Sequence, residues 1–232
     1  MFWISAMWST IFWSAATIGF YYLSKRAYRR FRAPWTAPLV LAPLLLIAMA
    51  LMLHESYGNY IRETHWLVAL LGPCTVAFAI PIWEHRALIR RYWPVLAVAV
   101  VVGSVTSMLS VRILAGLLGL DHRLWLSLLP RSISTPFAVA VSREFGGIPE
   151  LTAIFVIVTG IFGAAVGELM LSWLPLRSAM SRGALFGMAA HGAGVARAYQ
   201  VGHQEGSIAG LIMVLVGIFN VLVAPWVCHL VK

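Results

Sequence analysis

Long apolar stretches alternate with short polar, mostly basic ones from one end of the chain to the other. Candidate spans run over residues 3–23, 37–53, 66–83, 94–118, 124–143, 150–174, 183–200 and 207–231. Each comes near the roughly 20 residues a helix needs to cross a hydrocarbon core. The polar breaks include KRAYRRFR at 25–32, HESYGNYIRETH at 54–65 and EHRALIRRYW at 84–93. Trp66, Trp83, Trp93, Trp125 and Trp173 stand at span boundaries, where an amphipathic ring anchors among the headgroups. The pattern predicts an all-α polytopic membrane protein with about seven to eight transmembrane segments. MFWISAMWSTIFW has neither a basic leader nor a small-residue cleavage site, so it reads as a retained first span.

Composition agrees with this. The chain is 61% hydrophobic and 11% charged, against about a quarter charged in a soluble domain. A formal net charge of +9 would suit nucleic acid, but the basic residues concentrate in short loops between apolar spans. There they orient the protein and meet the anionic surface of a lipid bilayer, so nucleic acid is excluded as a partner. Cys74 and Cys228 lie in apolar segments and read as small packing residues.

Loop charge places 25–32 and 84–93 in the cytoplasm and the N-terminus on the periplasmic side. If 124–143 crossed fully, Arg177 and Arg182 would fall outside. If it enters and returns, Arg177, Arg182 and Lys232 all reach the cytoplasm. A broken or re-entrant element over 124–143 is therefore expected.

That element contains LPRSISTPFAVAV, 129–141. Pro136 cannot donate a backbone hydrogen bond, and its ring collides with the carbonyl of Ser132. Ser134 and Thr135 precede it in N-cap position, so the stretch predicts a break and a new half-helix starting at Pro136. Such an N-terminus carries the positive end of the helix dipole and unpaired N–H groups suited to an anion. Arg131, just before the break, adds a full charge and a bidentate fork that matches a carboxylate. Alternatively, Arg131 snorkels to the interface and the prolines only kink a helix. An intramembrane charge costs about 2.5–3.5 kcal/mol even on the lenient insertion scale. GPCTVAFAIPI, 72–82, echoes the same arrangement, with Thr75 ahead of a proline and an apolar run. Paired interrupted segments point to a two-repeat transporter fold.

A second constellation is SRGALFGMAAHGAGVARAYQ, 181–200. Gly183, Gly187, His191 and Gly194 recur at helical spacing and permit close helix contact. Similar small-residue positions at Gly160, Gly163 and Gly167 offer contact faces for a partner. His191 and Arg197 would not share a face of an unbroken helix; a distortion at Gly192–Gly194 would bring both toward one cavity. His191 then serves as proton carrier or substrate contact. The alternative is a packing histidine and an arginine anchoring the helix end. Arg112 reads as snorkelling, Glu150 as a first-turn acid, Glu168 as reaching the opposite interface, and 201–207 as a turn. His203 and Glu205 have no third ligand at metal-site spacing, so no metal is expected. HGAG lacks an accompanying nucleophile elbow, so hydrolase chemistry is not expected.

Taken together, LGPCTVAFAIP (71–81), LPRSISTPFAVAVS (129–142), GGIPELTAIFVIVTGIFGA (146–164), HGAGVARA (191–198) and QEGS (204–207) resemble the LrgB/CidB family. The resemblance runs from about residue 66 to the C-terminus, leaving 1–65 as an N-terminal two-span region outside it and 66–232 as the LrgB-like membrane domain. It implies a multi-pass protein of the bacterial inner membrane, without enzymatic activity or cofactor, working beside a small LrgA/CidA-type membrane protein; homo-oligomerisation stays open. Bacterial members carry an antiholin-like label tied to murein hydrolase activity and autolysis. A plant relative, the chloroplast glycolate/glycerate translocator, and some bacterial members are linked to small 2-hydroxy or 2-keto monocarboxylates. On that basis the expected substrate-binding residues are Arg131, Ser132, Ser134, Thr135, Pro136, Thr75, His191 and Arg197. The expected function is a secondary transporter of such acids, with an antiholin-like regulator as the alternative. The family often reads GTASHxxGTAR where this chain has GMAAHGAGVAR, so Met188, Ala190 and Val195 replace hydroxyls.

Overall fold

A computed structural model describes residues 2–31, 36–77 and 79–231; the side chains of Cys74 and Thr75 lie outside the described residues. The elements are α1 (Phe2–Phe31), α2 (Pro38–Met52), α3 (Tyr57–Glu63), α4 (His65–Ala69), α5 (Leu71–Ala77), α6 (Ala79–Glu84), α7 (Arg86–Leu117) and α8 (His122–Leu128). A 3₁₀ turn, Leu129–Ser132, leads to α9 (Thr135–Phe145), α10 (Pro149–Trp173), α11 (Ala179–Val201) and α12 (His203–Val231). Among the described residues there is no strand, as expected for an all-α membrane protein.

Three described helices, α7, α10 and α12, are long and apolar enough to cross a membrane. A fourth span results if α2 and α3, bent by 116° at their junction, count as one. Within the expected 66–83 span the described helix is interrupted by a turn at Leu70, between α4 and α5. Pro73 falls in the first turn of α5, where a missing N–H costs least. The C-terminal stretch 201–207, read as a turn, is the first turn of α12 after a break at Gly202. In α7 the backbone leaves helical geometry at Tyr92, two residues before Pro94, as a helix-interior proline demands.

The described chain forms two compact units, Met1–Cys74 and Thr75–Lys232. In the first, α1 packs on α2 and α3 around buried Trp13, whose ring meets Tyr60 edge-on at 5.4 Å between centroids. Thr17 Oγ1 lies 3.1 Å from the Tyr60 hydroxyl, and Trp66 Nε1 donates to Ser14 Oγ at 2.8 Å.

In the second unit, α12 packs against α7, α9 and α11, and α10 against α9 and α11. The core includes Phe137, Val141, Phe145, Val156 and Ile212. Glycines set the helix spacing. A Cβ at Gly163 would lie 2.4 Å from the Ala189 carbonyl oxygen, and one at Gly187 would lie 2.4 Å from that of Ala209. The small-residue stripes are therefore consumed inside the chain, α10 against α11 and α11 against α12, and do not form free faces for a partner. Small residues signal close approach, without specifying which helix approaches.

The joint between α8, α9 and α10 is polar and satisfied. Ser127 Oγ accepts from Ile148 N at 2.7 Å, and Thr152 Oγ1 sits 2.7 Å from Ser142 Oγ and 2.9 Å from the Ser127 carbonyl. Gly146 ends α9 with φ 81°, the left-handed C-cap that glycine adopts without steric cost. Trp125, expected at an interface, is buried beside this joint and donates from Nε1 to His122 Nδ1 at 3.2 Å. Arg112, exposed, stacks on it, 5.1 Å from the ring centroid.

Candidate functional site

The break in 124–143 is present and is sharper than a kink. After α8 comes one 3₁₀ turn, then Ile133 and Ser134 in extended backbone, then α9. Thr135 and Pro136 form the first turn of α9, one residue earlier than a start at Pro136. Ser134 is the N-cap residue, yet its hydroxyl makes no capping bond; it is 6% exposed and its Oγ has no partner.

Against this break lies a cavity of about 350 Å³, the volume of on the order of ten waters and within the range of small-molecule sites. Arg131, Ser132 and Ile133 form one wall. The facing wall comes from α7 with Ser104, Thr106, Ser107 and Ser110; α11 contributes Met188 and α12 contributes Asn220. Ser107 Oγ donates to Ser132 Oγ at 2.6 Å, tying α7 to the break. Arg131 is half-buried and has no acidic partner; the described salt bridges are Arg182–Glu205 and Arg197–Glu168. No Asp or Glu lines the cavity. An arginine without an acidic partner on the wall of a cavity of this size that also carries serine and threonine residues suits a small anion.

The other expected site residues are placed differently. Ser134, Thr135 and Pro136 do not line the cavity, and the Thr75 side chain lies outside the described residues. α11 is interrupted at His191 itself, with φ 35° and ψ −120°, and not at Gly192–Gly194. The His191 ring is 5% exposed, approaches the Arg131 main chain, and leaves Nε2 buried without a partner. Arg197 does not join it. Its guanidinium meets Glu168 on α10 and Gln200 on its own helix.

Sequence reasoning missed Thr106, Ser107, Ser110 and Asn220. Gly103, Thr106, Ser107 and Ser110 are spaced i, i+3, i+4, i+7 and so share one helix face, a polar stripe legible inside an otherwise apolar run. Asn220, the lone amide in the apolar run of α12, was the other available signal.

The LrgB-like family profile matches residues 17–230, nearly the whole chain. This protein belongs to the LrgB-like family. The match begins inside α1, upstream of the motifs quoted above. Among similar proteins, antiholin-like protein LrgB of Bacillus subtilis is 33% identical over 81% of this chain and 81% of its own length. Holin-like protein CidB of Staphylococcus epidermidis is 28% identical over 90% of this chain and 91% of its own. The uncharacterized protein YxaC of Bacillus subtilis is 33% identical, covering 92% and 94% respectively. No solved structure matches the chain. The cavity of this LrgB-like protein lies wholly within its second unit, inside the matched region.

Proposed function

We propose that this LrgB-like chain is a holin-like or antiholin-like protein of the bacterial inner membrane, governing murein hydrolase activity and autolysis with a small LrgA/CidA-type partner. The support is the family match together with the names of the CidB and LrgB relatives. In this reading the N-terminus is periplasmic, and the LrgB-like region extends upstream of residue 66, as the profile match over 17–230 has it. The chain as a whole has seven to eight segments of a two-repeat fold. Because the glycine stripes are occupied within the chain, the partner meets another surface. The test is autolysis rate and a murein hydrolase zymogram in cells with and without the chain. Altered lysis restored by re-expression supports the reading, and identical profiles remove it.

A second reading is favoured by the cavity itself. It makes the chain a secondary transporter of small 2-hydroxy or 2-keto monocarboxylates. The observation behind it is Arg131, unpaired and half-buried on the wall of a hydroxyl-lined cavity. The carboxylate pairs with Arg131, and Ser132 and Ser107 meet its neighbouring oxygen. Saturable uptake of labelled lactate or pyruvate into proteoliposomes holding only this chain supports it; folded protein that takes up neither acid under any imposed pH gradient removes it. The two readings are compatible, since altered acid flux can itself produce a lysis phenotype.

A further inference from the structure

Most polar groups in the cavity wall are hydroxyls, which donate or accept as a ligand requires. Among the lining side chains, two have fixed polarity. Arg131 donates only. Asn220 is the second, and its orientation is determined by what surrounds it.

Asn220 is 3% exposed and projects from the apolar body of α12. Its Nδ2 donates to the Val216 carbonyl at 2.8 Å and to Ser104 Oγ at 2.9 Å. A carbonyl oxygen only accepts, so the amide nitrogen, and not the oxygen, must face Val216. Both N–H groups are thereby used, and the side chain cannot flip without setting two acceptors against each other. Oδ1 is left over. It bonds to no described residue and is not among the fully buried unpartnered atoms, so it opens onto the cavity that Asn220 lines. Among its side chains the cavity therefore presents one fixed donor, Arg131, and one fixed acceptor, Asn220 Oδ1.

We propose that Asn220 is a specificity-determining residue of this cavity, selecting short hydroxy-monocarboxylates over their keto analogues. The inference rests on the anion-carrier reading above and narrows it. A hydroxyl donates to Oδ1 while the carboxylate pairs with Arg131. A keto oxygen in the same place sets acceptor against acceptor and leaves Oδ1 unsatisfied. Sites built to bond a substrate hydroxyl discriminate strongly against the analogue lacking it, because the buried group is then unpaired. An ammonium would also donate, but no carboxylate lines the cavity to balance its charge, so amino acids are excluded.

The test is isothermal titration calorimetry of the full chain in nanodiscs with lactate, pyruvate and alanine, comparing wild type with Asn220→Leu and Ser104→Ala. Wild type binds lactate roughly tenfold tighter than pyruvate, and alanine not at all. In Asn220→Leu the lactate-to-pyruvate ratio falls to near unity. Ser104→Ala, which removes one of the two bonds orienting the amide, lowers the ratio partway and decides the matter if the Asn220 variant does not fold. Equal binding of the two acids by wild type overturns the assignment of Asn220 while leaving the anion site standing. So does binding of alanine, or a ratio that survives in the variants. Binding of neither acid overturns both the assignment and the carrier reading.

Discussion

The second unit contains two helix interruptions of different origin. The one at 129–134 is dictated locally, because Pro130 and Pro136 deny the backbone a continuous helix and Ser134 turns it extended. The one at His191 has no proline. It places a non-glycine residue at φ 35°, a conformation costing about 1–3 kcal/mol that persists only when the surroundings impose it. Those surroundings are visible: a Cβ at Gly160 would touch the His191 ring at 2.8 Å, and one at Gly194 would meet the Phe186 carbonyl oxygen at 2.1 Å. The first break brings a charge to a cavity. The second brings a buried imidazole against the main chain that carries that charge. One break is written in local sequence and the other is held by packing, so they should respond differently to mutation.

The largest effect is expected where packing holds the second break. Gly163→Leu drives a side chain into the Ala189 carbonyl, two residues before His191, and should destabilise the protein by about 3 kcal/mol. Thermal unfolding in detergent would read this as a large drop in midpoint; an unchanged midpoint would deny the close α10–α11 approach. Next in size is a reversal of order at His191. At an ordinary helix position alanine is more stable than glycine by about 1 kcal/mol. At φ 35° His191→Gly should be the more stable of the two by about 1 kcal/mol. The usual order, with alanine ahead, would mean that α11 runs unbroken. Smallest is Pro136→Ala. Proline in a first helical turn sacrifices no helical bond, so its replacement should cost about 0.5–1 kcal/mol, through the unfolded chain. A loss of several kcal/mol would show that Pro130 and Ser134 do not hold the break without Pro136.

These differences follow what was legible in the sequence. The proline break and the positions of Arg131 and Ser132 beside it could be read locally, because proline and hydroxyl caps act over one helical turn. The glycines at 192 and 194 mark a weak stretch without saying where neighbours apply force, and packing sets the break just ahead of them, at His191. The stripe at Gly160, Gly163 and Gly167 was legible as a contact face but not as the seat of α11. Pairings such as Arg197 with Glu168 or Asn220 with Ser104 join residues far apart in the chain, and no local pattern announces them. The turn at Leu70 inside 66–83 has a local counterpart in Pro73, which sits in the first turn of the helix that follows.

The central claim is that the unpaired Arg131 makes the cavity an anion site. It is tested most directly by lactate uptake into proteoliposomes holding either the wild-type chain or Arg131→Gln. Glutamine keeps polar reach but removes the charge and the bidentate fork, so saturable uptake should fall at least tenfold while thermal stability does not drop, because no ion pair is broken. Uptake by Arg131→Gln with wild-type rate and affinity would contradict the account.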